Sequence, residues 1–202
     1  MAVTFQENIL FFKQWLKHPT QLGTFAPISK RLAKHAAQSA LRCVKEGEHI
    51  LEIGAGTGRL TRALIKEGAL KHGLKTVEID KPMHTFLTDT LPEVEHIHGD
   101  ATELHTLLPH DWLSKVGVIV SAIPLMYLKE PVRRRLMDQC FSAAKKDVRI
   151  VHVTYSPTSP LKKWDSIDSQ PLHRLWMNVP PGFVWQYSKI FPCENSPHVR
   201  AI

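Results

Sequence analysis

A chain of 202 residues, 43% hydrophobic and 22% charged, can bury one sizeable core and is too apolar for a disordered segment. Its formal charge of +7 is uneven: Lys13, Lys17, Lys30, Arg31, Lys34, Arg42 and Lys45 against Glu7 place +6 on residues 1–45 and leave +1 for the rest, which turns the N-terminal end towards polyanions, either nucleic acid or an anionic membrane surface. Three cysteines, Cys43, Cys140 and Cys193, without CxxC or Cys/His spacing, argue against a disulfide framework and against any metal site.

In chain order, residues 4–18 read as a helix, with Phe5, Ile9, Phe12 and Leu16 at helical spacing and Trp15 widening that face. Pro19 stops it, and 19–27 read as a loop. A second helix is expected over 29–44, with Leu32, Ala36, Ala40 and Cys43 on its apolar side. After Gly47 the pattern changes to a short apolar strand over 49–53 that enters a glycine-rich turn. A helix follows from Arg59 to about Gly68, then a strand (74–79), a helix (82–91), a strand (94–98), a strand (116–121), a helix (130–146) and a strand (148–155). This alternation predicts a Rossmann-like α/β fold, a mostly parallel sheet with helices on both faces. Two further strands near 172–179 and 183–190, around Pro180-Pro181-Gly182, suit an antiparallel hairpin at the sheet edge. The expected division is a basic helical segment, 1–45, that contacts membrane or substrate, and a cofactor-binding domain, 46–202. The longest apolar run, 116–128, contains Pro124 and falls short of the roughly 20 residues a bilayer span needs. Lys13 and Lys17 break the only apolar N-terminal stretch, so no secretory signal is expected. A cytoplasmic location follows, with any membrane contact peripheral.

The strongest chemical signal is Glu52-Ile53-Gly54-Ala55-Gly56-Thr57-Gly58, at the end of a buried strand and the start of a helix. Glycines there allow a tight turn and close approach of a ligand to the backbone. Glu78, with Ile79 beside it, ends the next strand about 20 residues later, where a ribose-binding acid belongs. Asp100 and Ala101 follow the third strand. The turn lacks the G-x-G-x-x-G spacing that receives a pyrophosphate. Glu52 in front of it would repel phosphate and suit the ammonium and sulfonium of S-adenosylmethionine (SAM). Glu78 can accept both ribose hydroxyls, Asp100 can accept from the adenine amine, and Ala101 leaves room for the ring.

These segments, together with Ser121-Ala122-Ile123-Pro124-Leu125 after the fourth strand, look like motifs of class I SAM methyltransferases. Within that class the chain resembles the bacterial phospholipid N-methyltransferases, relatives of the rRNA adenine dimethylases. The more discriminating parts are Phe12-Lys13-Gln14-Trp15-Leu16, Gly23-Thr24-Phe25-Ala26-Pro27-Ile28-Ser29-Lys30-Arg31-Leu32-Ala33, Thr154-Tyr155-Ser156-Pro157 and Asn178-Val179-Pro180-Pro181. In the last, Gly182 stands where alanine is usual, and Val184-Trp185 follows. The resemblance implies methyl transfer from SAM to the amine of phosphatidylethanolamine, towards phosphatidylcholine. It implies cofactor contacts from Glu52, Gly54, Gly56, Glu78, Asp100, Ala101 and Ser121, with Ala55, Thr57, Gly58 and Ile79 in the same segments.

Adenine N6 methyltransferases carry Asn-(Leu/Ile)-Pro-(Tyr/Phe) after strand four, whose ring stacks on the flipped base. Here Ser121 weakens the acceptor and Leu125 removes the ring, which disfavours adenine; nucleic acid is the less favoured partner and an anionic phospholipid surface the favoured one. A quaternary ammonium product suits an aromatic face. Tyr155 is the first candidate for that role, Tyr127 the second, and Ser121 completes the catalytic candidates. The first helix, with Phe5, Ile9, Phe12, Trp15 and Leu16 beside Lys13 and Lys17, suits the headgroup boundary. No protein partner is implied. The 12 histidines form no ligand set and read mostly as surface or satisfied core residues.

Overall fold

A computed structural model describes residues 28–177 and 180–190. Seven strands, β1 (His49–Ile53), β2 (Lys75–Glu78), β3 (Glu95–His98), β4 (Val116–Ser121), β5 (Arg149–Thr154), β6 (Ile167–Leu175) and β7 (Gly182–Lys189), form one sheet in the order β3-β2-β1-β4-β5-β7-β6. β1 to β5 are parallel. β7 runs antiparallel between β5 and β6, so the hairpin closes one edge. The helices are α1 (Lys30–Cys43), α2 (Arg59–Lys66), α3 (Lys81–Thr90), α4 (Leu104–Leu107), α5 (His110–Leu113) and α6 (Glu130–Ala143).

Period-two alternation in the strands feeds two cores. Leu51, Ile53, Ile119 and Ile150 pack with Leu136, Met137, Cys140 and Phe141 of α6. Ile50, Val118, Val120 and Val151 pack with Leu32, Ala36, Ala37 and Ala40 of α1 and Leu60 and Leu64 of α2. Each buried leucine or isoleucine contributes about 1.5–3 kcal/mol. Small side chains bring α1 close to the sheet, and Leu32 lies against Gly182, where an added Cβ would stand 2.5 Å from it. Ser29 caps α1, its hydroxyl accepting from Leu32 N–H at 3.1 Å. The helix of the 1–45 segment that the structure describes thus shares a core with β1, β4, β5 and β7. The helix expected over 4–18, the loop that follows it to residue 27, and Asn178-Val179 lie outside the described residues.

The hairpin departs from expectation at its start, since β6 begins at Ile167 and runs through Pro171. A proline has no N–H for a ladder and reads as a break, but an edge strand tolerates it, and the pairing shifts register between Pro171 and His173. The helix expected to reach 146 ends at Ala143, with Ala144 extended. The strand expected to reach 155 stops at Thr154, leaving Tyr155 just beyond it. Residues 104–113, including His105 and His110, hold α4 and α5 rather than loop, because four-residue helices are too short to show a helical period. Among the described residues no helix is long and apolar enough to cross a membrane.

Candidate active site

Strand order reverses between β1 and β4, and the loops leaving the carboxyl ends of the parallel strands gather at that crevice, where open α/β sheets bind ligands. The glycine turn lies there. Gly54 N–H donates to Val77 O at 2.8 Å, and Gly58 N–H to Ala55 O at 2.9 Å. Gly54 and Gly56 have φ of 71° and 56°, the left-handed region that glycine adopts without penalty. A Cβ on Gly54 would stand 2.5 Å from Ile123 Cγ1, so the turn and the post-β4 segment are in contact. A Cβ on Gly56 would meet nothing nearer than Met83 Sδ at 3.9 Å, so there is space beside its Cα. Ala55 turns inward onto Leu87 and Leu91. Gly58 is buried, and Thr57 is exposed.

Glu78 touches this turn. Its Oε2 accepts from Gly56 N–H at 2.7 Å and its Oε1 from Asp80 N–H at 2.9 Å. Burial, with the Asp80 charge adding to it, pushes its carboxyl above the ordinary range, and the backbone donors of Asp80, Gly56 and Ile79 pull it back. It stands at a strand end, as expected, and is also 98% buried, which adds a structural role that position alone did not suggest. Glu52 lies under the turn, 1% exposed, with Oε2 lacking a hydrogen-bond partner. Burial, with Glu78 adding like charge, pushes its carboxyl up to about 8. Thr61 on α2 opposes that shift, although its hydroxyl makes no well-formed hydrogen bond. Glu52 therefore favours the neutral carboxyl at neutral pH, where the sequence suggested a carboxylate. Asp100 Oδ1 accepts from Thr102 N–H at 2.8 Å, beside buried Ala101. Ile79 is half-buried and its carbonyl accepts from His98 Nε2 at 3.2 Å.

On the other side of the crevice, Ile53, Ser121, His152 and Trp185 form one cross-strand row. The Ser121 hydroxyl is buried and accepts from Ile123 N–H at 3.1 Å. Leu125 is a core residue, and Tyr127, in the 3₁₀ turn Leu125–Tyr127, is exposed. Tyr155 is half-buried, packed on the α1 and α2 side of the sheet, opposite the side Ser121 faces. Burial raises its phenol and Arg59 lowers it. Sequence reading missed Arg59, which starts α2 and donates from Nη1 to Ile28 O at 2.7 Å. His152 is fully buried and makes no well-formed hydrogen bond at either ring nitrogen, although the Ser121 backbone acts to raise its pKa. Burial pushes its pKa down to about 3, which leaves the ring neutral at neutral pH. His96, by contrast, is satisfied by Thr76 and Leu91. No cluster among the described residues could hold a metal.

Residues 50–147 match the family described as "Methyltransferase domain". The chain is similar to Ribosomal RNA small subunit methyltransferase A of Novosphingobium aromaticivorans, 40% identical over 73 residues, which cover 33% of this chain and 26% of that protein. It is similar to the same-named protein of Alkaliphilus oremlandii, 29% identical over 101 residues, covering 48% and 34%. The alignments thus span about a quarter to a third of those relatives. The fold is similar to that of a SAM-dependent methyltransferase from Archaeoglobus fulgidus, with a TM-score of 0.57 at 16% identity over 80% of this chain and 95% of that one.

Proposed function

We propose that this chain, whose residues 50–147 match a methyltransferase-domain family, is a class I SAM-dependent methyltransferase that methylates the amine of phosphatidylethanolamine at a membrane surface. SAM supplies an electrophilic methyl on its sulfonium. The residues at the turn suit it: space beside the Gly56 Cα, carboxylate lone pairs on Glu78 for ribose hydroxyls, Asp100 Oδ2 and small Ala101 for adenine, and the unpartnered Glu52 oxygen under the methionine end. Gly54, Ala55, Thr57, Gly58, Ile79 and Ser121 shape the walls of that cradle.

The observation that carries the acceptor reading is the post-β4 segment. Leu125, at the motif position where adenine methyltransferases carry their stacking ring, is aliphatic and buried, and the Ser121 hydroxyl accepts from Ile123 N–H at 3.1 Å. Loss of such a platform costs roughly 1–3 kcal/mol per base. An aliphatic amine needs no platform. It must arrive neutral, and a site of low polarity favours that form. Each transfer to a primary or secondary amine releases one proton to solvent. Tyr155 and Tyr127 offer aromatic faces for the quaternary product, worth about 0.5–2 kcal/mol.

A second reading is methylation of ribosomal RNA, which the names of the curated relatives favour. Labelled SAM offered with phosphatidylethanolamine vesicles and, separately, with small-subunit ribosomal RNA decides between them. Label in the lipid phase supports our reading; label in RNA alone overturns it.

A further inference from the structure

α1 carries Lys30, Arg31, Lys34, His35 and Arg42 and no acid. The fold brings a partner to it that sequence position could not reveal. His173 of β6 lies with its ring 4.6 Å from that of His35, and Arg42 Nη2 is 3.3 Å from His173 Nε2. A guanidinium only donates, so in this contact His173 Nε2 accepts and the ring is neutral with its proton on Nδ1. The charges bearing on His35 are Arg31, Lys34 and Arg42, and those bearing on His173 are His35 and Arg42, with no carboxylate among them. Nearby acids are engaged elsewhere: Glu67, just past α2, accepts from Gln38 at 3.4 Å, and Asp168 of β6 from Gln170 at 2.7 Å. The strands beneath α1 present Val118, Val120, Val151, Val153 and Val184, and Gln186 of β7 accepts from the Cys43 thiol at 3.2 Å.

Cations gathered without a counterion repel one another, so the cluster does not serve stability. Neutral imidazoles limit that repulsion while the surface is free. An arriving phosphate reverses the balance: Arg42 turns from His173 to the anion, and each ring gains a reason to hold a second proton. We propose that Arg42, His35 and His173, flanked by Arg31 and Lys34, form a phosphate-binding site for anionic lipid headgroups whose hold tightens as pH falls. Lipid is favoured over nucleic acid by what adjoins the site. Met177, four residues past His173 on the same chain segment, is 89% exposed, and an exposed apolar side chain next to bases fits the headgroup boundary, whereas the Trp176 ring packs edge-on against Phe183 of the other core at 5.3 Å. Ile28, which Arg59 Nη1 bonds, places the start of α1 at the active-site edge.

Binding is read without turnover, so this inference and the choice of acceptor amine stand or fall separately. The full chain is sedimented with vesicles of phosphatidylcholine alone or mixed with phosphatidylglycerol, at about pH 6 and about pH 8. The mixed vesicles should bind more tightly, on the order of tenfold more at the lower pH. His35→Gln with His173→Gln should abolish that pH dependence, and Arg42→Gln should weaken binding at both values, with SAM affinity unchanged in each. Equal binding to both vesicle types, or the same pH dependence in the double variant, overturns the proposal. So does release of bound protein by inorganic phosphate at equal phosphate concentration, which marks a free-anion site. A labelled RNA that binds with the histidine-dependent pH profile while vesicles do not also overturns it.

Discussion

Replacing Glu52 by Gln removes a carboxyl that the fold holds 1% exposed with one oxygen unpartnered. Its ordinary value of 4.5 is raised to about 8 in the folded chain, chiefly by burial. The folded state therefore binds the proton more tightly than the unfolded state does. The stability associated with the neutral carboxyl is complete below pH 4.5 and is lost as pH rises towards 8, by at most about 1.4 kcal/mol per unit. At pH 7 the parent has forgone up to about 3 kcal/mol, the interval between 4.5 and 7 at that slope. Gln cannot ionise, but its amide adds donors to the same apolar surroundings, so about 1–2 kcal/mol of that should be recovered. Urea denaturation of parent and variant from pH 5 to pH 8.5 reads this directly. The variant should gain on the parent steadily across the range and be no more stable than it at the acid end. A stability difference that does not change with pH would refute the burial argument. Calorimetric titration of SAM on the same samples carries the proposed function further. If Glu52 ionises under the cationic methionine end, SAM binding releases a proton from the parent near neutral pH, and the variant binds more weakly without that release.

Glu78→Ala should lower SAM affinity by about 1.5–3 kcal/mol, through loss of a charged acceptor. Because Gly56 N–H and Asp80 N–H lose their acceptor, it should also lower stability by about 2–4 kcal/mol while leaving a folded domain; unchanged affinity by calorimetry would remove Glu78 from the cofactor site. Gly54→Ala combines a φ of 71° with a Cβ 2.5 Å from Ile123 Cγ1, so it should cost about 1–3 kcal/mol and weaken SAM binding; thermal unfolding equal to the parent's would refute the contact. Tyr155→Phe should retain most phosphatidylethanolamine methylation, and Tyr155→Ala should lose on the order of tenfold, as expected when an aromatic face rather than a hydroxyl is used. Equal rates in both variants, measured on vesicles with labelled SAM, would dismiss Tyr155.

Periodicity and turn chemistry are local, so they were legible along the chain. The strand before Glu52, the glycine turn, the alternation of strands and helices and the late hairpin all carry their signals within a few residues, and the five-strand parallel arrangement follows from them. Weak or misleading local signals hid the remaining elements. Pro171 hid the first half of β6, and the four-residue helices α4 and α5 left no period. The acids were visible as residue types, but their states were not: burial and the neighbouring Glu78 decide that Glu52 favours the neutral carboxyl, and a backbone donor 22 positions away decides that Glu78 ties β2 to the turn.

By itself the amino-acid order settled that a glycine-rich turn exists, which strand feeds it and which acids follow it, because those features depend on neighbours in the chain. Only the folded arrangement decided which distant groups meet. It set Ile123 against Gly54, Arg59 beside Tyr155, and His173 against His35 and Arg42, 131 positions apart in the last case. Charge and dielectric act through space, so the protonation of a buried carboxyl or a crowded imidazole is fixed by packing that no linear pattern records.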